Sequence, residues 1–239
     1  MLLPTWPAPA GVFSLMTIRE GGVSCAPWDS FNLGDHVGDE ATHVAENRAR
    51  LRLQLPAEPA WLKQIHGATV VDASSDALIA DASITRQAGC ICVVLTADCL
   101  PVLFCDRAGR VVAAAHAGWR GLAQGVLEAT VAAMQVPPGD VLAWMGAAIG
   151  PDAFEVGDDV REAFIQQHPE AVAAFVPHPS GVAGKWLADI YQLARIRLNR
   201  SGVQAIYGGG RCTFNESGHF YSYRRDGVTG RMASLIWLG

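Results

Sequence analysis

The sequence is short of charge. Only 17% of its 239 residues are Asp, Glu, Lys or Arg, against about 25% in an average soluble domain, so much of the chain is available for burial. The formal balance is −5, with a pI near 5.8. Basic residues are scattered apart from short clusters such as Arg224-Arg225. That leaves no electrostatic footprint for nucleic acid or for anionic membranes. No run of about 18 uncharged apolar residues exists to span a bilayer; the longest apolar stretch, Gly89 to Cys105, is broken by Asp98 and Pro101. The apolar start MLLPTWPAPAGVF lacks a basic n-region and is interrupted by prolines, so it does not read as a signal peptide. There is no CxxC pair, no His-x-His pair, and no H-x-E with P-C-x-x-C, which excludes ordinary zinc-finger and zinc nucleobase-deaminase patterns. No repeat at solenoid period and no low-complexity linker is present.

The six cysteines, at 25, 90, 92, 99, 105 and 212, are not spread like a disulfide framework. They read as reduced thiols of a cytoplasmic protein, most of them small core hydrophobes. Periodicity then gives a coarse element order. Residues 20–34 read as an ordered loop. Asp39 to Leu55 reads as a helix with Val44, Arg48, Leu51 and Leu55 on one stripe. Trp61 to Ile65, Thr69 to Asp72, Ala80 to Thr85, Cys90 to Thr96, Pro101 to Cys105 and Val111 to Ala115 read as strands. A helix is expected from about Leu122 to Met134, then a strand from Leu142 to Ile149. Further helices are expected from Asp158 to about Gln167, capped by Asp158, and from Lys185 to Asn199. Ala205 to Tyr207 and Ala233 to Leu238 read as short strands, and Arg211 to Arg231 as a polar loop near the site. Strands and helices alternate only in places. The expected class is therefore α+β, three-layer α/β/α-like, with a mixed sheet and helices on its faces, as a single domain over 1–239.

Polar residues that break out of apolar strands mark the candidate chemistry. Asp98-Cys99 ends one strand, His116 ends another, and His66 sits at a third strand-to-turn junction. Two imidazoles and a thiolate are good ligands for Zn²⁺, and three protein ligands would leave one position open for water or substrate. The same atoms also permit a metal-free pair, with Cys99 as nucleophile and His116 as base. Arg48, on the inner stripe of its helix, requires a carboxylate or an oxyanion partner. His116 to Gly121 leads into a helix N-terminus, where Gly118 would allow a ligand to approach the backbone. Asn32, in Ser-Phe-Asn-Leu-Gly, fits either a turn or a ligand contact.

Taken together, several segments resemble a known family. They are Gly-Gly-Val-Ser at 21–24, Ser-Phe-Asn-Leu-Gly at 30–34, Glu-Asn-Arg at 46–48, Lys-Gln-Ile-His-Gly at 63–67 and Thr-Ala-Asp-Cys-Leu-Pro at 96–101. His-Ala-Gly-Trp-Arg-Gly at 116–121, Ile-Gly-Pro at 149–151, Phe-Tyr-Ser-Tyr-Arg-Arg-Asp-Gly at 220–227 and Thr-Gly-Arg at 229–231 complete the set. The pattern is similar to the purine nucleoside phosphorylases long labelled multicopper polyphenol oxidoreductase, laccase-like (DUF152). The resemblance implies zinc held by His66, Cys99 and His116, with copper possible at the same ligands. It implies phosphorolysis of adenosine, inosine and 5′-methylthioadenosine to base and ribose 1-phosphate, with adenosine deamination as a second activity. It assigns phosphate or substrate to Arg48; Asn32 and Gly118 are the further contacts expected, and Asp98 is the expected proton-transfer group. The partners would be purine nucleosides and phosphate, with no nucleic acid or membrane. Rival readings are copper oxidation of phenols, editing of peptidoglycan precursors, and a binding module without turnover. Two histidines in the core motifs are few for multicopper chemistry.

Overall fold

Two sheets stacked face to face form the centre of the molecule, in a computed structural model that describes residues 1–239. In chain order the elements begin with β1 (Val12–Met16), α1 (Ala41–Arg52), β2 (Pro59–Ala60), β3 (Val70–Asp72), β4 (Ala82–Thr85), β5 (Ile91–Thr96), β6 (Leu100–Asp106) and β7 (Val112–Ala117). Next come α2 (Trp119–Gln124), α3 (Val126–Ala133), β8 (Val141–Met145), β9 (Glu155–Gly157), α4 (Asp158–Ile165), β10 (Phe175–Pro177) and β11 (Lys185–Ala188). The chain closes with α5 (Ile190–Arg200), β12 (Ala205–Gly208), α6 (Tyr223–Asp226) and β13 (Met232–Leu238). A six-stranded sheet runs β12-β8-β6-β7-β4-β3 and a four-stranded sheet β1-β13-β5-β2; a small third sheet runs β10-β11-β9. Most neighbours are antiparallel, with β12·β8, β3·β4 and β2·β5 parallel.

The period of two along each strand decides what each face meets. On β5, Cys92 and Val94 face the six-stranded sheet, while Ile91, Val93 and Leu95 pack outward with Leu51, Phe31 and Leu33. On β7, Val112 and Ala114 face the four-stranded sheet, while Ala113, Ala115 and Ala117 pack against Leu122, Val126 and Leu127. Both sheets are thus buried on two sides, which is why their central strands read as continuous apolar runs. The α+β class with mixed sheets holds, and the helices lie on the two outer faces of the stack. The layering is richer than one sheet between helices, because a second sheet fills the middle.

Several element expectations need correction. Lys185–Ala188 is strand β11, and α5 starts only at Ile190, where the Asp189 side chain accepts a hydrogen bond from the Gln192 N–H. Asp158 does not cap α4; Gly157 holds that position, and the Asp158 carboxylate accepts from the Trp186 indole at 2.7 Å. The expected helix over 122–134 begins earlier, at Trp119, and is split by Gly125, whose φ of 92° is open to glycine and rare for other residues. Residues 61–65 are not a named strand; only Lys63 bridges, to Ile79. The helix expected to Leu55 ends at Arg52. Strand β1 has no counterpart among the expected elements. Its partner β13 lies more than 200 residues away, and no local pattern announces such a pairing.

Candidate metal centre

The chain leaves β5 in one sheet and enters β6 in the other, so Ala97-Asp98-Cys99 bridges the two layers. Asp98 makes that bend at a φ of 87°, a conformation uncommon outside glycine. Its carboxylate is fully engaged, accepting from Thr213 Oγ1 and from the Arg224 N–H, both at 2.6 Å. Its carbonyl accepts from Ile149. The expected loop over 211–231 therefore does lie at the site, and Asp98 is what ties it there. Pairing of β7 with β6 sets His116 opposite Pro101, which brings its imidazole beside Cys99. His66 arrives from the other side with a φ of 59°.

The ligand-capable atoms of His66, Cys99 and His116 all lie within 4.8 Å of one another. His66 is exposed, Cys99 half-buried and His116 buried. The two imidazole rings meet edge to face, 4.8 Å apart. Behind them stands Asp81, which no motif of the sequence singles out. It is wholly buried and accepts from the backbone N–H groups of Ile65, His66 and Gly67 at 3.2, 2.8 and 2.6 Å. It also lies 2.9 Å from His116 Nδ1. An ionised carboxylate can only accept, so Nδ1 carries a proton toward Asp81 and Nε2 is the nitrogen turned to the site, available as a ligand once it is deprotonated. One carboxylate thus fixes both histidine-bearing segments. The available signal was an acid set inside the apolar run Ile79-Ala80-Asp81-Ala82, because a buried carboxylate requires partners.

Gly118 explains why this cluster has room. It is buried, and a Cβ there would stand 2.9 Å from Cys99 Sγ and 3.3 Å from His66 Cδ2. A Cβ on Gly121 would meet the Gly67 carbonyl at 2.6 Å. These glycines let the first turn after β7 pack directly on the cluster. Two imidazoles and one thiolate, backed by a carboxylate–histidine contact and cradled by a glycine, suit a borderline-soft divalent metal such as zinc.

The electrostatics follow from burial and proximity. Burial alone would push the Cys99 thiol up, but the neighbouring His116 and His66 bring it down to about 6. Burial opposes protonation of His116, yet the Cys99 charge and the hydrogen bond to Asp81 lift it to about 9. Burial likewise works against the Asp81 carboxylate. Its hydrogen bonds from His116, Gly67 and His66 prevail and hold it below the usual carboxylate range. A group held low in this way adds stability above its unfolded value near 3.9 and loses it as pH falls through the folded value. Asp81→Asn is expected to lower metal affinity about 10- to 100-fold, the usual effect of removing such a supporting carboxylate. The variant should also lose part of the acid-induced destabilisation expected of the parent below about pH 4. Metal titration and unfolding at several pH values would check both; unchanged metal affinity would remove Asp81 from the site.

Two recesses flank the cluster. One, of about 230 Å³, is lined by Trp119, Phe154, Ile149 and Ile190 together with Arg120 and Arg224. The other, of about 430 Å³, is lined by His36, Thr96, Tyr223 and Arg231 among others. Cys99, His66 and Tyr223 border both. Two expected ligand contacts have other duties in the structure. The Asn32 side chain is buried and bonded to Gly34, Asp39 and the Arg231 N–H, so it staples the 20–34 loop. Asn47, also missed, supports that loop through Val23, Ser24, Ser30 and Asn32. Arg48 lies over the Trp61 ring at 4.2 Å, donates to the Leu33 carbonyl and comes within 3.3 Å of Asp35. It lines a neighbouring groove with His36 and Gln64, and neither recess of the cluster. No helix is long and apolar enough to cross a membrane.

Comparison with known proteins agrees along the whole chain. The family described as multi-copper polyphenol oxidoreductase laccase matches residues 13–239. A Pseudomonas aeruginosa protein named purine nucleoside phosphorylase is 59% identical, covering 99% of this chain and 98% of its own. The Escherichia coli purine nucleoside phosphorylase YfiH is 55% identical over 100% of this chain and 98% of its own. The crystal structure of a Neisseria meningitidis DUF152 protein superposes with a TM-score of 0.95 at 55% identity, covering 99% and 98% of the two chains. YlmD from Geobacillus stearothermophilus gives 0.88 at 33% identity over 97% and 93%. Matched end to end at such identities, the chain belongs to the DUF152 family, described as multi-copper polyphenol oxidoreductase laccase and counting these bacterial purine nucleoside phosphorylases among its members.

Proposed function

We propose that this chain is a zinc-dependent purine nucleoside phosphorylase that also deaminates adenosine. The observation that carries the reading is the His66–Cys99–His116 cluster opening directly onto an aromatic recess. A chain this similar to proteins named purine nucleoside phosphorylase supports it. Trp119, Phe154 and Tyr223 offer flat apolar contact suited to a purine, and Ile149 and Ile190 complete the apolar side. Arg120 and Arg224 supply positive charge at the same recess. His66, Cys99 and His116 would hold the metal; bound there it supplies Lewis-acid polarisation of an oxygen or ring atom. In phosphorolysis the phosphate oxygen forms a bond to the anomeric carbon as the bond from that carbon to the purine nitrogen breaks. The base leaves with that electron pair and takes a proton. In deamination, water adds at the ring carbon bearing the amine and ammonia departs. The chain's part in both is orientation and exclusion of bulk water, which are large contributions to rate. Adenosine, inosine and 5′-methylthioadenosine are the substrates we assign to the recess. A cytoplasmic setting fits the half-dozen free thiols. The single His/Cys cluster disfavours multicopper oxidation of phenols.

A second reading rests on the same thiol. Without metal, Cys99 and His116 would form a thiolate–imidazolium pair between about pH 6 and 9, the ground state of a Cys–His nucleophile. Adenosine turnover with and without phosphate, on protein of assayed metal content, separates the readings. Phosphate-dependent adenine release that disappears on metal removal and returns with zinc is the expected result. Release that survives complete chelation would favour the thiol nucleophile. Adenosine consumption indifferent to phosphate would leave deamination alone.

A further inference from the structure

We infer that inorganic phosphate binds in the recess between Arg231 and Thr96, across the cluster from Trp119 and Phe154. This rests on the phosphorolysis reading and deepens it. Arg231 is the anomaly. Its guanidinium lines the recess beside Cys99 and His116, and no Asp or Glu lines that recess. Nη1 donates to the carbonyls of Thr229 and Gly230, and neither Nε nor Nη2 has a protein acceptor. The guanidinium is half-buried, lies 5.9 Å from the Tyr223 ring and makes no ion pair with a carboxylate, so its two free donor groups remain available to an anion entering the recess.

The side chain is also held in place. Its own N–H donates to Asn32 Oδ1 at 2.9 Å. Its stem runs so close to Gly34 that a Cβ there would stand 2.8 Å from Arg231 Cγ. A planar donor fork fixed in this way is shaped for an oxyanion. The second observation is independent. Thr96 is 1% exposed, lines the same recess, and its hydroxyl has no hydrogen-bond partner. Strand register pairs Thr96 with Met232, the residue after Arg231, and both Thr96 and Arg231 line the recess. A hydroxyl left unpaired at that depth signals a missing acceptor or donor. Arg48, the arginine that the resemblance assigns to phosphate, stands in the adjoining groove, where Nε donates to the Leu33 carbonyl, the guanidinium lies over Trp61 and Nη2 is near Asp35 without a hydrogen bond to it. It lines neither recess of the cluster. The arrangement puts purine on the Trp119–Phe154 side of the cluster and phosphate on the Arg231 side, with Tyr223 between them.

The test uses the metal-loaded full chain and inorganic phosphate. Arg231→Gln is expected to raise the phosphate KM about 10- to 100-fold, the range for losing charge-assisted hydrogen bonds. The adenosine KM at saturating phosphate should stay within about twofold. Arg231→Lys should recover part of the loss, since it restores the charge without the fork. Thr96→Val is expected to raise the phosphate KM several-fold while keeping thermal stability, because it removes a hydroxyl with no protein partner. A readout without turnover is the rise in Tm on adding millimolar phosphate. Wild type should show it and Arg231→Gln should not. If that Tm shift is lost in Arg231→Gln although no nucleoside is phosphorolysed, the subsite stands and the activity reading falls. If phosphorolysis is present but Arg231→Gln leaves both the phosphate KM and the Tm shift unchanged, the subsite is overturned. A raised adenosine KM with unchanged phosphate KM also overturns it, because Arg231 would then be reading the nucleoside.

Discussion

Cys99→Ala and His116→Ala are each expected to lower nucleoside phosphorolysis about 1,000-fold or more, because a metal ion's electrostatic contribution to a transition state amounts to several kcal/mol. Each change reduces a three-donor set to two, and bound metal should fall with activity. The two variants should nevertheless differ in stability. Removing His116 leaves Asp81, wholly buried, without its imidazole partner, and breaking a buried charged pair from one side costs about 3–5 kcal/mol. The three backbone donors that remain to Asp81 offset part of that. Removing Cys99 leaves the Asp81–His116 contact intact. The expected pattern is therefore equal catalytic loss with a distinctly lower Tm for His116→Ala. Measuring kcat/KM, metal per chain and Tm on both variants checks it. Activity within tenfold of the parent in either would take that residue out of the reaction.

The second large effect is expected from one methyl group. Gly118 has φ −61° and ψ 157°, angles that alanine adopts freely, so the backbone gives no reason for a glycine. The space does. A Cβ would sit 2.9 Å from Cys99 Sγ and 3.3 Å from His66 Cδ2, well inside ordinary contact, and the thiol and the imidazole must both retreat. A displacement of about 1 Å in a reacting group costs about 100-fold in rate. Gly118→Ala should thus lose metal affinity and turnover by about that factor while its Tm moves only a few degrees. Near-normal turnover would show that the cluster tolerates displacement and that Gly118 serves packing alone.

How much of this was legible in the sequence depends on the range of the interactions. Asp98-Cys99 and His116 announced themselves as polar breaks in apolar strands, because such breaks are costly unless used. The loop from Arg211 to Arg231 could be placed near the site by its composition. Asp81 carried the same kind of signal more faintly, one acid among small residues, and its partners at 65–67 and 116 are set by tertiary structure alone. Arg48 sits on the inner stripe of its helix, which calls for a partner, and sequence cannot choose between a carboxylate such as Asp35 and a ligand. Asn32 illustrates the opposite case: its turn chemistry was visible, and its hydrogen bonds are filled by the protein. The segment from Lys185 to Asn199 was misassigned because four strand residues precede a helix whose start is marked only by Asp189. β1 was missed because its pairing is wholly non-local.

That pairing has a consequence for how the molecule is made. β13 lies between β1 and β5 in its sheet, yet it is synthesised after every other strand. Until it emerges, β1 has no strand partner and β5 presents an open edge six residues long, buried throughout in the finished molecule. An apolar strand with an unpaired edge is a template for pairing between chains. The four-stranded layer cannot close on the ribosome while its middle is still missing. The interval between synthesis of β5 and arrival of β13 is therefore when this chain is most exposed to aggregation, and the step at which a chaperone would have most to protect.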